Sequence, residues 1–202
     1  MKNKVVLIIS VVVLFSLAAC ASNPKVTRVD SDTQVDLSGY WNDTDVRIVC
    51  ESLINDCLSS PRVASFERRT GELPVIIVGS FRNQSDEHID TSIIQKRMET
   101  AILNSGKADF VASSSERLEL RDERTEQQSW SSEETAKALA NETGADFMLI
   151  GSVKTIIDSA GKMATRTYFV YAELIDVETN RKLWIGENSE IKKIIKRPPA
   201  KL

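Results

Sequence analysis

The sequence contains a single histidine, His88, and therefore no pair of histidines at the spacing of a metal site. Zinc sites take several cysteine, histidine and carboxylate ligands at fixed spacings. No glycine-rich phosphate-binding loop occurs in the 202 residues, and the acidic residues are too scattered for any carboxylate pair to stand out. We therefore predict no metal, no cofactor and no small-molecule substrate.

One short segment could be imagined as a catalytic site, because Ser85, His88 and Asp90 lie close together in the sequence. An envelope hydrolase that uses this loop is the competing enzyme hypothesis. However, Asp90 directly precedes a predicted helix and suits an N-cap, and the loop would have to fold back on itself. We predict that the protein is not an enzyme and that His88 forms local hydrogen bonds in a strand-to-helix connection.

Positive charge is not in excess, since 26 Lys and Arg residues face 29 Asp and Glu residues. Nucleic-acid binding needs clustered positive charge, so we predict no nucleic-acid partner. Beyond the N-terminus, Cys50 and Cys57 are the remaining cysteines. On one helix their alpha carbons would be ~10 Å apart, whereas a disulfide needs less than ~7 Å. Buried free thiols are the prediction.

The N-terminus has the layout of a bacterial secretion signal. Lys2 and Lys4 precede the apolar run Val5–Leu17, which is too short for a bilayer span of ~20 residues. Leu17-Ala18-Ala19-Cys20 then resembles a lipobox in all four places. Cys20 is the predicted lipidation site, and three acyl chains there would give stable anchoring. Ala21 is not the aspartate associated with inner-membrane retention, so we predict the outer membrane, with the domain in the periplasm.

These features predict four segments. Residues 1–19 form a signal peptide, 20–38 a lipidated N-terminus with a flexible tether, 39–195 one globular domain, and 196–202 a disordered tail. The basic stretch 192–201, with two prolines, is expected to fray. No later segment is long enough to span a membrane.

Apolar spacing predicts the elements of the first half of the domain. A helix begins at the N-cap candidates 42–45 and ends before Pro61. Its apolar stripe is Val46, Val49, Cys50, Leu53, Ile54, Cys57 and Leu58. A buried strand covers 75–78. A second helix, capped by Asp90 or Thr91 and stopped by Gly106, is followed by a strand at 110–112. The predicted inward stripe of this second helix is Ile93, Ile94, Arg97, Met98, Ala101 and Ile102.

The second half is predicted to contain a helix between Ser131 and Gly144 and three β-rich segments. These segments cover 146–157, 165–177 and 182–195, with Thr179-Asn180 as a tight turn. The middle segment is apolar in both alternating sets, which favours a central strand. The predicted fold class is α/β (α+β): a mixed sheet with one parallel β-α-β crossover and a C-terminal antiparallel meander, with helices packed on the sheet.

The charged stretch 116–126 places like charges at three- and four-residue spacing if it is helical, which is unfavourable. Arg117, Arg121 and Arg124 gather on one side, opposite the glutamates. Such a segment needs oppositely charged neighbours, either within the domain or in a partner. It is therefore a salt-bridged surface element or a partner-binding site, and the three arginines are the candidate contacts.

Four blocks resemble the LpoB-like lipoproteins, activators of penicillin-binding proteins: 39–45, 83–90, 116–124 and 144–147. The resemblance runs from the lipobox to about Lys193. It implies a lipid-anchored, non-enzymatic periplasmic domain with a fold similar to the amino-terminal domain of TolB. It also implies that the domain binds a bifunctional peptidoglycan synthase, a class A penicillin-binding protein, and stimulates it. Only Cys20 transfers residue by residue.

The chain departs from that family pattern in its short tether, which contains one proline, Pro24. About 20 residues span ~70 Å when fully stretched, and ~25 Å as a coil. The alternative function is therefore an envelope lipoprotein adaptor, or an assembly or secretion accessory, with a different periplasmic partner.

Overall fold

The computed structural model describes residues 26–31, 33–112, 116–120, 122 and 144–196. The chain divides into two compact units, Met1–Thr33 and Gln34–Leu202. In the first unit the described residues are exposed, and Thr33 N–H donates to Asp30 O at 3.1 Å. The predicted lipobox, the helix 131–144 and most of the tail lie outside the described residues.

The second unit is built on a six-stranded mixed sheet in the order β2-β1-β3-β4-β5, with β6 also paired to β4. The pairings β2–β1 and β1–β3 are parallel, and those of β4 with β3, β5 and β6 are antiparallel. The predicted fold class is thereby confirmed. The strands are β1 (Val75–Gln84), β2 (Asp109–Phe110), β3 (Phe147–Ala160), β4 (Met163–Asp176), β5 (Lys182–Asn188) and β6 (Lys192–Lys196).

Three helices have defined bounds: α1 (Asp43–Ser59), α2 (Pro61–Thr70) and α3 (Thr91–Ser105). Asn42 and Asp45 form a reciprocal capping box at the start of α1. Asp90 caps α3 by accepting the Ser92 N–H, as predicted. Helix α2 was missed, because Pro61 was interpreted only as a stop, although proline also suits the first helical turn.

The core lies between the sheet and one face of α1 and α3. The whole predicted stripe of α1 is buried, and Cys50 and Cys57 are free, buried thiols. The predicted stripe of α3 is only partly correct. Its buried positions repeat at intervals of four, while Ile93 and Arg97 are exposed. The buried side chains of α3 are Ile94, Met98 and Ile102.

Strands β3 and β4 form a hairpin that is paired from Phe147↔Asp176 to Ala160↔Met163. Its loop is Gly161-Lys162, and Gly161 has φ +59°. A glycine at the first position of a two-residue loop suits the right-handed twist of the flanking strands. On β4, residues 164–174 alternate between buried and half-buried. As predicted, β4 is an interior strand of the sheet; one of its faces is buried and the other is half-buried.

One prediction at the C-terminal end of the domain is corrected. The stretch 192–196, expected to fray, forms β6, whose backbone pairs with residues 163–167 of β4. This pairing satisfies an edge that β5 leaves open, because β5 reaches only Val170. At the N-terminal end of the domain, Asp36 accepts a hydrogen bond from Asn42 Nδ2 at 2.8 Å and lies 3.0 Å from Lys193 Nζ. This part of the predicted tether therefore contacts the domain.

Candidate partner-binding surfaces and a buried charge cluster

Of the predicted site residues, Cys20, Arg121 and Arg124 lie outside the described part of the chain. Arg117 lies in a helical segment at 116–120 and lines a cleft of about 490 Å³ together with residues of α3 and β1. In that cleft Lys96 Nζ lies 2.7 Å from Glu99 and 3.2 Å from Glu116. The Lys96–Glu116 pair supports the salt-bridged interpretation of the charged stretch at the one end that is described.

The loop that was weighed as a catalytic site has other tasks. Ser85 Oγ donates to Asn83 Oδ1 at 2.6 Å, and Ser85 Oγ accepts the Glu87 N–H at 3.2 Å. Asp90 Oδ1 caps α3, and His88 is exposed. The hydroxyl proton of Ser85 is thus directed at an amide oxygen that fixes the turn. This geometry describes a loop that is braced by its own side chains.

Asp86 and Glu87, in the same loop, point toward Arg166 on β4. Arg166 Nη2 lies 2.7 Å from Asp86 Oδ2, and Nη1 lies 2.9 Å from Glu87 Oε1. The Thr155 hydroxyl donates to Asp86 Oδ1 at 2.6 Å. This hydrogen bond, followed by the Arg166 guanidinium, holds the pKa of Asp86 below its usual range. The loop is therefore bound to both strands of the hairpin by charge-assisted hydrogen bonds.

Glu87 accepts hydrogen bonds from two further donors, and it thereby joins the sheet to the start of the domain. Tyr168 OH donates to Glu87 Oε1 at 2.5 Å, and the backbone N–H of Trp41 donates to Glu87 Oε2 at 3.0 Å. Burial, together with the neighbouring Glu87 carboxylate, raises the pKa of Tyr168. Trp41 also packs its ring against Tyr168, with centroids 5.1 Å apart. Trp41 thereby holds the start of the domain against the core.

Lys193 on β6 forms a second set of ion pairs next to those of Arg166. We call the two sets together the charge cluster: Asp36, Asp45, Asp86, Glu87, Arg166 and Lys193. Its Nζ lies 2.7 Å from Asp45 Oδ2 and 3.0 Å from Asp36 Oδ1, and it donates to Tyr40 O at 2.7 Å. Burial raises the pKa of Asp45, and the Lys193 ammonium opposes that shift. Arg166 Nη1 adds a hydrogen bond to Gly39 O at 3.1 Å. Residues 36–41, which we call the entry segment, are thereby held against β4 and β6.

The charge cluster fixes the place where the chain enters the domain, and its chemistry is structural. Its carboxylates are bound by a guanidinium, an ammonium and hydroxyl donors rather than by each other. Among the described residues, no group of three or more His, Cys, Asp or Glu side chains is placed to hold a metal ion. Within the same part of the chain, no helix is long and apolar enough to cross a membrane.

Sequence reasoning missed this cluster, although one signal was present. Arg166 has the same parity as Tyr168, Val170, Ala172 and Leu174, which form the buried set of β4. Since alternate residues of a strand face the same side, an arginine in the buried set predicts a buried ion pair. Its partners, Asp86 and Glu87, could not be identified without the three-dimensional contact.

Comparison with known families gives a match to the family described as peptidoglycan-synthase activator LpoB, over residues 45–190. The matched region includes Asp86, Glu87 and Arg166, but neither Cys20 nor the entry segment. A search of curated proteins finds no match.

Several solved structures are similar to the chain. The LpoB C-terminal domain from Escherichia coli is 18% identical, with 71% of this chain and 96% of that chain covered and a TM-score of 0.45. The corresponding domain from Salmonella enterica is 19% identical, with 64% and 92% covered and a TM-score of 0.37. Lipoprotein GNA1162 from Neisseria meningitidis is 19% identical, with 59% and 83% covered and a TM-score of 0.35. Because these TM-scores lie below 0.5, the assignment of the chain to a family rests on the family match and not on the structural similarity.

Proposed function

We propose a function from one premise: the chain belongs to the peptidoglycan-synthase activator LpoB family. In this proposal the protein is an outer-membrane-anchored periplasmic lipoprotein that binds and activates a class A penicillin-binding protein. It acts as a binding module and not as an enzyme. The observation that carries the proposal is the family match over residues 45–190, which spans α1 through β5.

Anchoring is proposed at Cys20. The thiol of Cys20 would carry diacylglycerol, and the amine of Cys20 that cleavage behind Ala19 frees would carry a further acyl chain. One chain binds a membrane only marginally, whereas several together anchor a protein stably. The N-terminal sequence supports this step, including Ala21, which favours the outer membrane.

A second candidate function is that of an envelope adaptor or an assembly or secretion accessory with a different partner. The entry segment favours this alternative, because it shortens the tether to the stretch between Cys20 and Gln34. Such a stretch spans at most ~50 Å, and ~20 Å as a flexible coil. A synthase in the inner membrane must therefore reach outward for the main proposal to hold.

Arg117, Arg121 and Arg124 remain proposed contact residues for the partner. Arg117 lines an open cleft beside α3, so a partner could approach it. The competing role of this stretch, a surface element that pairs with charges of its own domain, is supported by the Lys96–Glu116 contact.

Cross-linking in living cells tests the proposal. A photo-reactive residue is placed at exposed positions of the full-length lipoprotein, and the captured protein is identified by mass spectrometry. Capture of a class A penicillin-binding protein, with faster glycan polymerisation when the purified lipoprotein is added to it, supports activation. Capture of only outer-membrane or wall-bound proteins overturns the activator role. A Cys20→Ala variant that still labels with a fatty-acid analogue would refute the anchoring step.

A further inference from the structure

Three arginines converge on one cleft at the end of the sheet where β3 begins. Arg62 and Arg69 come from α2, and Arg181 comes from the loop between β4 and β5. The cleft has a volume of about 390 Å³, and Phe147 and Leu183 contribute apolar surface to its lining. We refer to it as the arginine cleft.

The positive charge of the arginine cleft is balanced only in part from within. In the described part of the chain, none of the ion pairs within 4.0 Å involves Arg62, Arg69 or Arg181. One carboxylate, Asp176, lines the cleft, but its Oδ1 accepts the Thr179 N–H at 2.7 Å. The hydrogen bonds from Thr179 hold the pKa of Asp176 below its usual range, with Arg181 a smaller cause. Asp176 thus fixes the β4–β5 turn and stays ionised, so three arginines and one aspartate leave the lining with an excess of positive charge.

The arginine cleft lies at the far end of the sheet from the entry segment. Arg166, which binds Gly39 O, and Asp176, which lines the cleft, are separated by ten residues of the same strand. At ~3.3 Å per residue this is a distance of ~33 Å. A domain held at its entry segment can therefore present the cleft on the side away from its attachment.

Guanidinium groups bind carboxylates through paired, charge-assisted hydrogen bonds, and arginine is the preferred residue where such recognition is needed. Exposed arginines around a concave, partly apolar surface also match the composition of protein interfaces. From the unbalanced charge, the concave shape and the distal position, we infer that the arginine cleft binds an acidic segment of the partner synthase. The inference rests on the proposed function for the identity of the partner.

The test uses the full-length lipoprotein in detergent and a purified class A penicillin-binding protein. The cleft variants are Arg62→Glu, Arg69→Glu, Arg181→Glu and the triple variant. The matched control is Arg68→Glu. It makes the same change as Arg69→Glu in the last turn of α2, at a residue that does not line the cleft. An Arg117→Glu variant reports on the other candidate surface. Thermal unfolding of each variant checks that the fold is retained.

Each cleft variant is expected to lower the affinity for the synthase by roughly tenfold, because it places a like charge against the acidic segment. The control is expected to stay within about twofold of the wild type, as is usual for exposed charges outside an interface. The wild-type affinity should fall steeply with salt, and that of the triple variant less so. A structural defect alone would not change the salt dependence.

Two results overturn the inference while leaving the proposed function intact. One is a triple variant that binds the synthase as tightly as the wild type, including the case in which only Arg117→Glu weakens binding. The other is unchanged synthase affinity with lost binding to purified peptidoglycan sacculi, which would make stem-peptide carboxylates the occupant. If the wild-type protein binds no class A synthase at all, both the inference and the proposed function are wrong.

Discussion

Arg166 and Glu87 form an ion pair in which both side chains are almost completely buried, with exposed fractions of 10% and 5% and a distance of 2.9 Å from Nη1 to Oε1. A buried pair of this kind adds little net stability compared with apolar residues, but the loss of one partner is costly. Since Glu87 also accepts hydrogen bonds from Trp41 and Tyr168, the pair joins the β1–α3 loop, β4 and the entry segment.

The first prediction is that Arg166→Met lowers the free energy of unfolding by about 3 kcal/mol, because it leaves the Glu87 carboxylate buried without its cation. Adding Glu87→Gln to this variant should restore part of the loss, since the uncompensated charge disappears. Urea denaturation measures both. The control, Arg82→Met at an exposed position of β1, should change stability by less than about 0.5 kcal/mol. Equal effects of Arg166→Met and Arg82→Met would contradict this account.

The second prediction concerns the entry segment, which Lys193 holds through Asp36, Asp45 and Tyr40 O. Lys193→Met should destabilise the domain by about 2 kcal/mol, because Asp45 stays buried without a cation. It should also speed amide hydrogen exchange in residues 36–41. Lys192→Met, a neighbouring exposed position on the same strand, is the control. Unchanged exchange in the Lys193 variant would mean that Arg166 and Trp41 suffice to hold the segment.

The sequence predicted the parts of the fold that depend on apolar periodicity and on the residues that cap helices and form turns. Every apolar residue of the α1 stripe is buried, and Asp90 and Gly106 bound α3 as predicted. Asn180 adopts φ +58° at the predicted turn. These features are local, since helix caps, turns and amphipathic spacing act over a few residues.

What the sequence did not reveal depends on distant partners. The basic stretch 192–196 was interpreted as a fraying tail, because its affinity for the open edge of β4 is visible only once β5 is seen to stop short. The arginine cleft combines α2 with a loop more than a hundred residues later in the chain. No local pattern brings Arg62 and Arg181 together. The same holds for Lys193 and Asp45.

The third prediction concerns pH and Asp86, whose pKa is lowered in the folded state. An acid with a lowered folded pKa stabilises the fold above its unfolded pKa of ~3.9, and this contribution is lost as the pH falls through the folded value. Asp86→Asn should therefore cost about 1 kcal/mol at pH 7, a modest amount because the side chain is partly exposed. The difference between wild type and variant should shrink below pH ~4. Urea titrations at pH 7 and below pH ~4 measure the difference in the free energy of unfolding. A difference that does not depend on pH would refute the lowered pKa of Asp86 in the folded state.

The fourth prediction is that Cys50 and Cys57 stay unreactive in the folded protein. Burial raises the pKa of both thiols to about 12, and the thiolate is the reactive form. At pH 8, iodoacetamide should label neither residue in native protein and both in urea, as read by mass spectrometry. Rapid labelling of either residue without denaturant, or a Cys50–Cys57 disulfide in the purified protein, would contradict the buried, reduced arrangement.

The last prediction tests whether reach limits the proposed activation. Insertion of 20 Gly/Ser residues after Val26 lies outside the family-matched region and before the second unit, Gln34–Leu202. It should extend the coil span of the tether from ~20 Å to ~30 Å. If the synthase sits at the limit of reach, the insertion should raise the yield of the in-cell cross-link and relieve the entropy cost of a taut tether. If the synthase already extends to the domain, the longer tether should lower the effective concentration and the yield. A matched insertion in the Cys20→Ala variant should have no effect, because an unanchored domain has no tether to extend. An insertion that changes the anchored and unanchored forms alike would show that tether length does not govern the encounter.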